Sequence, residues 1–282
     1  MIRAYLELTK PRITWLILVS TGVGYYFGLR SPWDLWSVLH TLIGTGLIAS
    51  GTAGLNQWYE SAADAQMNRT RHRPIPSGRL TRCQALVFSA LLSLAGFLEL
   101  VWFVNPLAGW LGLFTLVTYL FAYTPLKQRT PHSTTVGAIP GAMPPLIGYA
   151  ASAGQLTWEA WALYAILFVW QFPHFYSIAW MYRDDYGRAG IRMLPVVEPD
   201  GESTARRIFV FLLLLLPVSL APSLLAMTGL WYLAGAAALG LYFLRAGVGV
   251  LRDNSAAGAR GVLLASVLYL PALYGLMLLD RS

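Results

Sequence analysis

The strongest constraint on this chain is a succession of long apolar segments separated by polar connections. Nine of them, at about 12–30, 36–58, 82–104, 106–124, 134–153, 158–181, 206–227, 229–250 and 259–279, are each near twenty residues long. At a rise of about 1.5 Å per residue, such a segment crosses a hydrocarbon core of about 30 Å. Of 282 residues, 56% are hydrophobic and 12% charged, the charged share being about half that of a soluble domain. Lipid offers no hydrogen bonds to an open backbone, so such segments must be helical. The expected fold is an all-α integral membrane protein, one polytopic domain over residues 1–282, built as a bundle of nine transmembrane helices.

The basic residues decide the orientation. With the N-terminus on the cytoplasmic side, every one of the 20 Lys and Arg residues except Arg30 and Arg281 falls on that side, as the positive-inside rule requires. The net charge of +7 is divided among loops with no soluble domain to sit on. Nucleic acid is therefore not an expected partner, whereas anionic lipid and an anionic substrate are. Cys83 is the only cysteine, which rules out an intrachain disulfide and a thiolate metal cluster. The residues before the first span have no leader pattern, and a bacterial-type inner membrane is the expected location.

The polar residues that remain cluster on the cytoplasmic side. Asn56, Glu60 and Asp64 are spaced four apart at the end of an apolar helix, so all three share one helical face. Carboxylates at a membrane margin usually hold a cation, and two acids with an amide suit Mg²⁺, which completes its shell with phosphate oxygens and water. Arg69, Arg71 and Arg73 follow at once and can take up phosphate charge. The loop after the sixth span repeats the pattern: Asp184 and Asp185 lie among Arg183, Arg188 and Arg192. Two acidic helix ends on one face read as two halves of one site at the cytoplasmic end of a central cavity. Ordinary ion pairs within each loop are the plainer alternative.

Other candidates have two readings each. Lys127 and Arg129 either anchor the fourth span in the headgroups or contact phosphate. Residues 133–150 contain Pro140, Pro144 and Pro145 with three glycines, a break tolerated in a membrane where backbone is buried or lines a cavity. His174 sits within the sixth span in the aromatic stretch WQFPHFYSIAW. It is either a hydrogen-bonded histidine of the bundle or a ligand contact in a cavity whose ring faces can stabilise a cation.

The stretches LTKPRITWL, NQWYESAADAQMNRTRHRPIPSG, YTPLKQRTPHSTTVGAIPGAMPPLIG, WQFPHFYSIAWMYRDDY and RMLPVV, spread over about the first 200 residues, resemble the UbiA superfamily of intramembrane prenyltransferases, most closely its haem-modifying branch. The last three spans match only as generic apolar helices. The resemblance implies Mg²⁺ as cofactor, with Asn56, Glu60, Asp64, Asp184 and Asp185 as catalytic and metal-binding residues. It implies substrate contacts for Arg69, Arg73, Lys127, Arg129, His174, Tyr182, Tyr186 and Arg188. It further implies farnesyl diphosphate as donor and protoheme IX as acceptor, with a downstream haem-modifying enzyme or terminal oxidase assembly receiving the product. The chain departs from the wider pattern where Gln57 and Glu60 replace the first two aspartates and where Tyr182 and Tyr186 stand at acid positions. A prenyltransferase of a quinone precursor is the competing enzyme. A secondary transporter is the competing class, although transporters place key charges near the midplane rather than at one face.

Overall fold

The structure is a computed structural model that describes residues 1–30, 32 and 34–282. Its elements in order are α1 (Ile2–Leu8), α2 (Pro11–Gly28), α3 (Leu35–Gln66), α4 (Arg82–Phe103), α5 (Pro106–Val117), a π-helical turn (Thr118–Tyr123) and α6 (Thr124–Leu126). Then come α7 (Ser133–Gly141), α8 (Met143–Ala153), α9 (Trp158–Met181), α10 (Arg183–Arg188), α11 (Leu194–Val197), α12 (Glu202–Leu224), α13 (Leu230–Asp253) and α14 (Ala256–Leu279). The described residues form no strand, only an isolated bridge between Thr228 and Arg281.

Among the described residues seven helices are long and apolar enough to cross a membrane: α3, α4, α5 continued through α6, α9, α12, α13 and α14. Seven of the nine expected spans are of that kind, and the count of nine is not reached. The first expected span is α2, 18 residues interrupted by polar Ser20 and Thr21. The fifth is two helices of 9 and 11 residues, α7 and α8. Their break falls at Ala142, between Pro140 and the Pro144–Pro145 pair, because proline can neither donate to the preceding turn nor avoid its carbonyl. Gln171 of α9 supports the broken region from the side, donating through Nε2 to the Ala138 carbonyl at 3.2 Å.

Small residues let the helices approach closely, which is how helices associate when lipid removes the hydrophobic drive. The tightest seam joins α2 and α8. A Cβ at Gly148 would lie 1.8 Å from the Thr21 carbonyl oxygen, and one at Gly24 would lie 2.0 Å from that of Pro145. Aromatic rings fill the interior: Phe172 stacks on Phe211 at 3.8 Å, and Tyr149, Tyr176, Tyr232 and Tyr269 are fully buried. Trp36, Trp102, Trp158 and Trp231 lie exposed at the ends of helices on the face opposite the acid-bearing loops, positions suited to an interfacial aromatic belt.

The fold positions the site through α3. Its 32 residues run two turns beyond the apolar span because Ala62, Ala63 and Ala65 favour helix, and they end where Met67 becomes extended. Asn56, Glu60 and Asp64 thus stay on one continuous helix, all buried.

Candidate active site

The chain after α3 folds back over the helix that precedes it. The Met67 amide and the Thr70 hydroxyl both donate to the Asp64 carbonyl, the latter at 2.9 Å. That turn returns Arg73 to the acid face. Its Nη1 donates to both carboxylate oxygens of Asp64, at 2.8 and 2.7 Å, with the Asp64 side chain only 1% exposed. One turn back, Glu60 is met from another element: Lys127 Nζ lies 2.8 Å from Glu60 Oε1. Lys127 also sits 4.5 Å from the Tyr123 ring centroid. The π-helical turn just before it is the kind of local insertion that often marks a functional site. Burial works against the charge on Lys127, yet the Glu60 carboxylate and the ring hydroxyls outweigh it and hold its pKa well above the ordinary value.

Asn56 completes the face. Its Nδ2 donates to Thr124 Oγ1 at 3.2 Å, and its Oδ1 accepts from Lys10 Nζ at 3.4 Å. Lys10 caps α2 in a left-handed conformation with φ 49°, which turns its side chain back over α3. Burial, then the charges of Arg73 and Lys127, lower its pKa to about 7, against the pull of Glu60 and Asp64. Gln57, where the wider pattern has an aspartate, serves the packing of the helices: its Nε2 donates to the Leu8 carbonyl at 2.8 Å and ties the α1–α2 connection to α3.

The second acidic motif meets the first through Arg69. Its backbone amide donates to Asp185 Oδ2 at 3.2 Å, its Nη2 donates to the Tyr186 hydroxyl at 3.3 Å, and its guanidinium lies 5.2 Å over the Tyr182 ring. Arg188 pairs with the other oxygen of Asp185. Asp184 points outward, its side chain 83% exposed with Arg183 at 3.9 Å. Arg192 joins the loops again, its amide donating to the Lys127 carbonyl at 2.8 Å.

Two expected contacts lie apart from this cluster. Arg129 is exposed, and among the described residues its side chain makes no hydrogen bond or ion pair. His174 faces α14: its Nδ1 lies 2.8 Å from Ser266 Oγ, and Trp170 stacks on its ring at 4.7 Å. The structure also supplies residues that sequence reasoning passed over. A polar cavity of about 380 Å³ opens beside the acid face, lined by Glu7, Lys10, Ile13, Gln57, Arg69, His72, Arg73 and Pro74. The signal for Lys10 was its place in LTKPR, directly before the helix-initiating Pro11. Nothing local marks Glu7 or His72, which reach the cavity only through folding of the loop.

In chemical terms, buried carboxylates and an amide line one helix, and cations from four segments surround them. Arg73 and Lys127 balance Asp64 and Glu60, and Arg69 at the cavity edge, with Lys10 when it carries its proton, adds positive charge beside them. Such a site has the charge and place to suit an anion at the edge of an apolar bundle.

The model of the UbiA prenyltransferase family matches residues 17–270, reaching through the seventh and eighth expected spans and into the ninth, whose sequences have no recognisable motif. A protoheme IX farnesyltransferase of Solibacter usitatus is 64% identical over 288 residues, covering 99% of each chain. Those of Koribacter versatilis and Salinibacter ruber are 47% and 44% identical, over 94% and 98% of their own lengths. Among solved structures, a UbiA homologue from Archaeoglobus fulgidus bound to GPP and Mg²⁺ superposes with TM-score 0.70 at 16% identity, covering 97% of this chain and 99% of that one. A digeranylgeranylglyceryl phosphate synthase superposes with TM-score 0.82 at 18% identity, covering 99% and 98%. Over nearly its whole length, then, this chain is a multi-pass membrane protein that belongs to the UbiA prenyltransferase family.

Proposed function

We propose that the chain transfers the farnesyl group of farnesyl diphosphate to a vinyl group of protoheme IX, with addition of water, giving haem O and diphosphate. Full-length identity of 64% to a protoheme IX farnesyltransferase supports the choice of acceptor. The observation that carries the chemistry is the cation-lined cavity beside the Asn56–Glu60–Asp64 face. In this reading the site faces the cytoplasm of a bacterial-type inner membrane, where the basic loops belong.

The donor set fits Mg²⁺ at the first motif. Mg²⁺ binds through one or two carboxylates and keeps phosphate and water in its other positions, and Glu60, Asp64 and Asn56 carry oxygens on successive turns of one helix, which Lys127, Arg73 and Lys10 hold here and would have to yield to the ion. The five expected ligands do not converge on one point: among the described residues no group of three or more His, Cys, Asp or Glu side chains is placed to hold an ion. Asp185 is already engaged by Arg69 and Arg188, and Asp184 points away. When bound, Mg²⁺ supplies Lewis-acid stabilisation to the departing diphosphate.

The chain's own residues do the rest. Lys10, Arg69, Arg73 and Lys127 hold the diphosphate and meet the negative charge that grows as the C–O bond breaks, an arrangement fixed before substrate arrives. Tyr119 and Tyr123, packed edge to face at 5.0 Å in the π-helical turn before Lys127, are the rings this reading assigns to stabilising the allylic cation. The apolar bundle keeps water from that cation until the acceptor vinyl has attacked it. Water then adds to the new cation on the haem side chain and loses a proton, leaving a hydroxyethylfarnesyl group.

The test uses the purified chain in lipid vesicles with farnesyl diphosphate, Mg²⁺ and either protoheme IX or a quinone precursor. Diphosphate release should require protoheme IX and stop when Mg²⁺ is chelated. Release with the quinone precursor instead would move the acceptor assignment and leave the diphosphate site standing. Release unaffected by chelation would remove the metal.

A further inference from the structure

Several threonines of the bundle serve only their own helix. Thr21, Thr52 and Thr115 each donate to the carbonyl four residues back and, among the described residues, accept from no other side chain. Thr124 differs in both respects. It is buried, donates to the Tyr119 carbonyl five residues back at 2.8 Å, and accepts from Asn56 Nδ2 at 3.2 Å.

The longer reach comes from the π-helical turn Thr118–Tyr123. The Thr124 amide bonds the Tyr119 carbonyl as well, so one residue holds that oxygen through both its backbone and its side chain. A π-helical insertion turns the residues after it by about 100° relative to an unbroken helix. Thr124, the first residue after the turn, meets Asn56 of α3 from 68 positions away.

The protons along this chain of bonds can be arranged in one way. Lys10 Nζ lies 3.4 Å from one end of the Asn56 amide, and an ammonium can only donate. That end is therefore the carbonyl oxygen, Oδ1. The other end is the NH₂, which can only donate, so Thr124 Oγ1 must accept from it. A hydroxyl has a single proton, and at Thr124 the Tyr119 carbonyl takes it. Reversing the amide would set its NH₂ against the Lys10 ammonium, donor to donor.

We propose that Thr124 is a positioning residue for the donor site: its hydroxyl, anchored on Tyr119, fixes the Asn56 amide so that the carbonyl oxygen faces Lys10. Lys10 in turn lines the polar cavity. An amide free to rotate would spend part of its time with the NH₂ towards Lys10, pushing away a cation that the cavity needs. The consequence for binding rests on the reading of a diphosphate as the donor's head group.

The experiment titrates inorganic diphosphate, with Mg²⁺ in the buffer, into the purified chain by calorimetry, and measures KM for farnesyl diphosphate and for protoheme IX in vesicles. Thr124→Val keeps nearly the same volume and the backbone bond to Tyr119 but loses the hydroxyl. It should weaken diphosphate binding by about three- to tenfold, the range of one buried neutral hydrogen bond. The KM for farnesyl diphosphate should rise in step, and that for protoheme IX should stay unchanged. Thr124→Ser keeps the hydroxyl and should bind as wild type does. In an Asn56→Ala background Thr124→Val should cause no further loss, since no amide is left to orient. Thr124→Ala carries the same expectations and replaces the valine variant if that one does not fold. Undiminished diphosphate binding without the hydroxyl, a rise in both KM values alike, or losses that add with Asn56→Ala would overturn the positioning role and leave the donor site standing. Wild type that binds no diphosphate would overturn the donor reading itself, and the role of Thr124 with it.

Discussion

Replacing Arg73 with Met tests whether the Asp64–Arg73 pair is a buried ion pair in the full energetic sense. Asp64 is 0% exposed, and a single guanidinium nitrogen bridges both of its oxygens at 2.8 and 2.7 Å. Taking away the guanidinium leaves a carboxylate with no solvent to replace it. Breaking a buried pair from one side costs about 3–5 kcal/mol. Lys10 is close enough to offset part of that charge, so the lower end, about 3 kcal/mol, is expected. For a chain of this size that corresponds to a fall in Tm of roughly 5–10 °C. Thermal unfolding in detergent, followed by tryptophan fluorescence, measures it. The double variant Asp64→Asn with Arg73→Met should recover most of the loss, because two neutral side chains leave no uncompensated charge. A loss under about 1 kcal/mol, as for an exposed pair, would refute the reasoning. So would a double variant whose loss equals the sum of the two single ones.

Lys127→Met should raise the KM for farnesyl diphosphate by about tenfold or more, since it removes a charge-assisted bond and leaves Glu60 unpaired; steady-state kinetics in vesicles checks it. Gly148→Ala should destabilise the α2–α8 seam by about 1–3 kcal/mol or more, because the added carbon meets a backbone oxygen that cannot swing aside; the Tm reports it. Glu7 bonds Arg79, and that bond, ahead of the smaller charge effects, lowers its carboxyl pKa below 4.5. A depressed carboxyl stabilises the folded form above the unfolded pKa and loses that contribution as pH falls through the folded value. Protease sensitivity of α1 should therefore rise as pH drops below about 4.5, and Glu7→Gln should show the looser state at neutral pH.

Local features of the sequence were legible because local physics sets them. The i, i+4, i+8 spacing put Asn56, Glu60 and Asp64 on one face, and Pro140, Pro144 and Pro145 marked where the fifth span breaks. What could not be read depends on long-range packing. Lys10 reaches Asn56 across 46 positions, and no periodicity encodes that contact. Asp184 and Asp185 look equivalent in sequence, but α10 buries one and turns the other to solvent. His174 read either as a hydrogen-bonded histidine of the bundle or as a ligand contact, and only the rotation of α9 shows that Ser266 is its hydrogen-bond partner. The exchange of acids for bases was also hidden, since only the fold shows that Arg73 and Lys127 already occupy Asp64 and Glu60.

The most direct measurement is mass analysis of haem pigments from membranes containing this chain, with wild type beside Asp64→Asn, a substitution that keeps side-chain shape. The account predicts a haem heavier by one farnesyl group plus water in wild-type membranes and none from the variant, at equal protein levels. The same product at the same yield from Asp64→Asn would contradict the assignment of the acid face, and absence of any farnesylated haem from wild type would contradict the function.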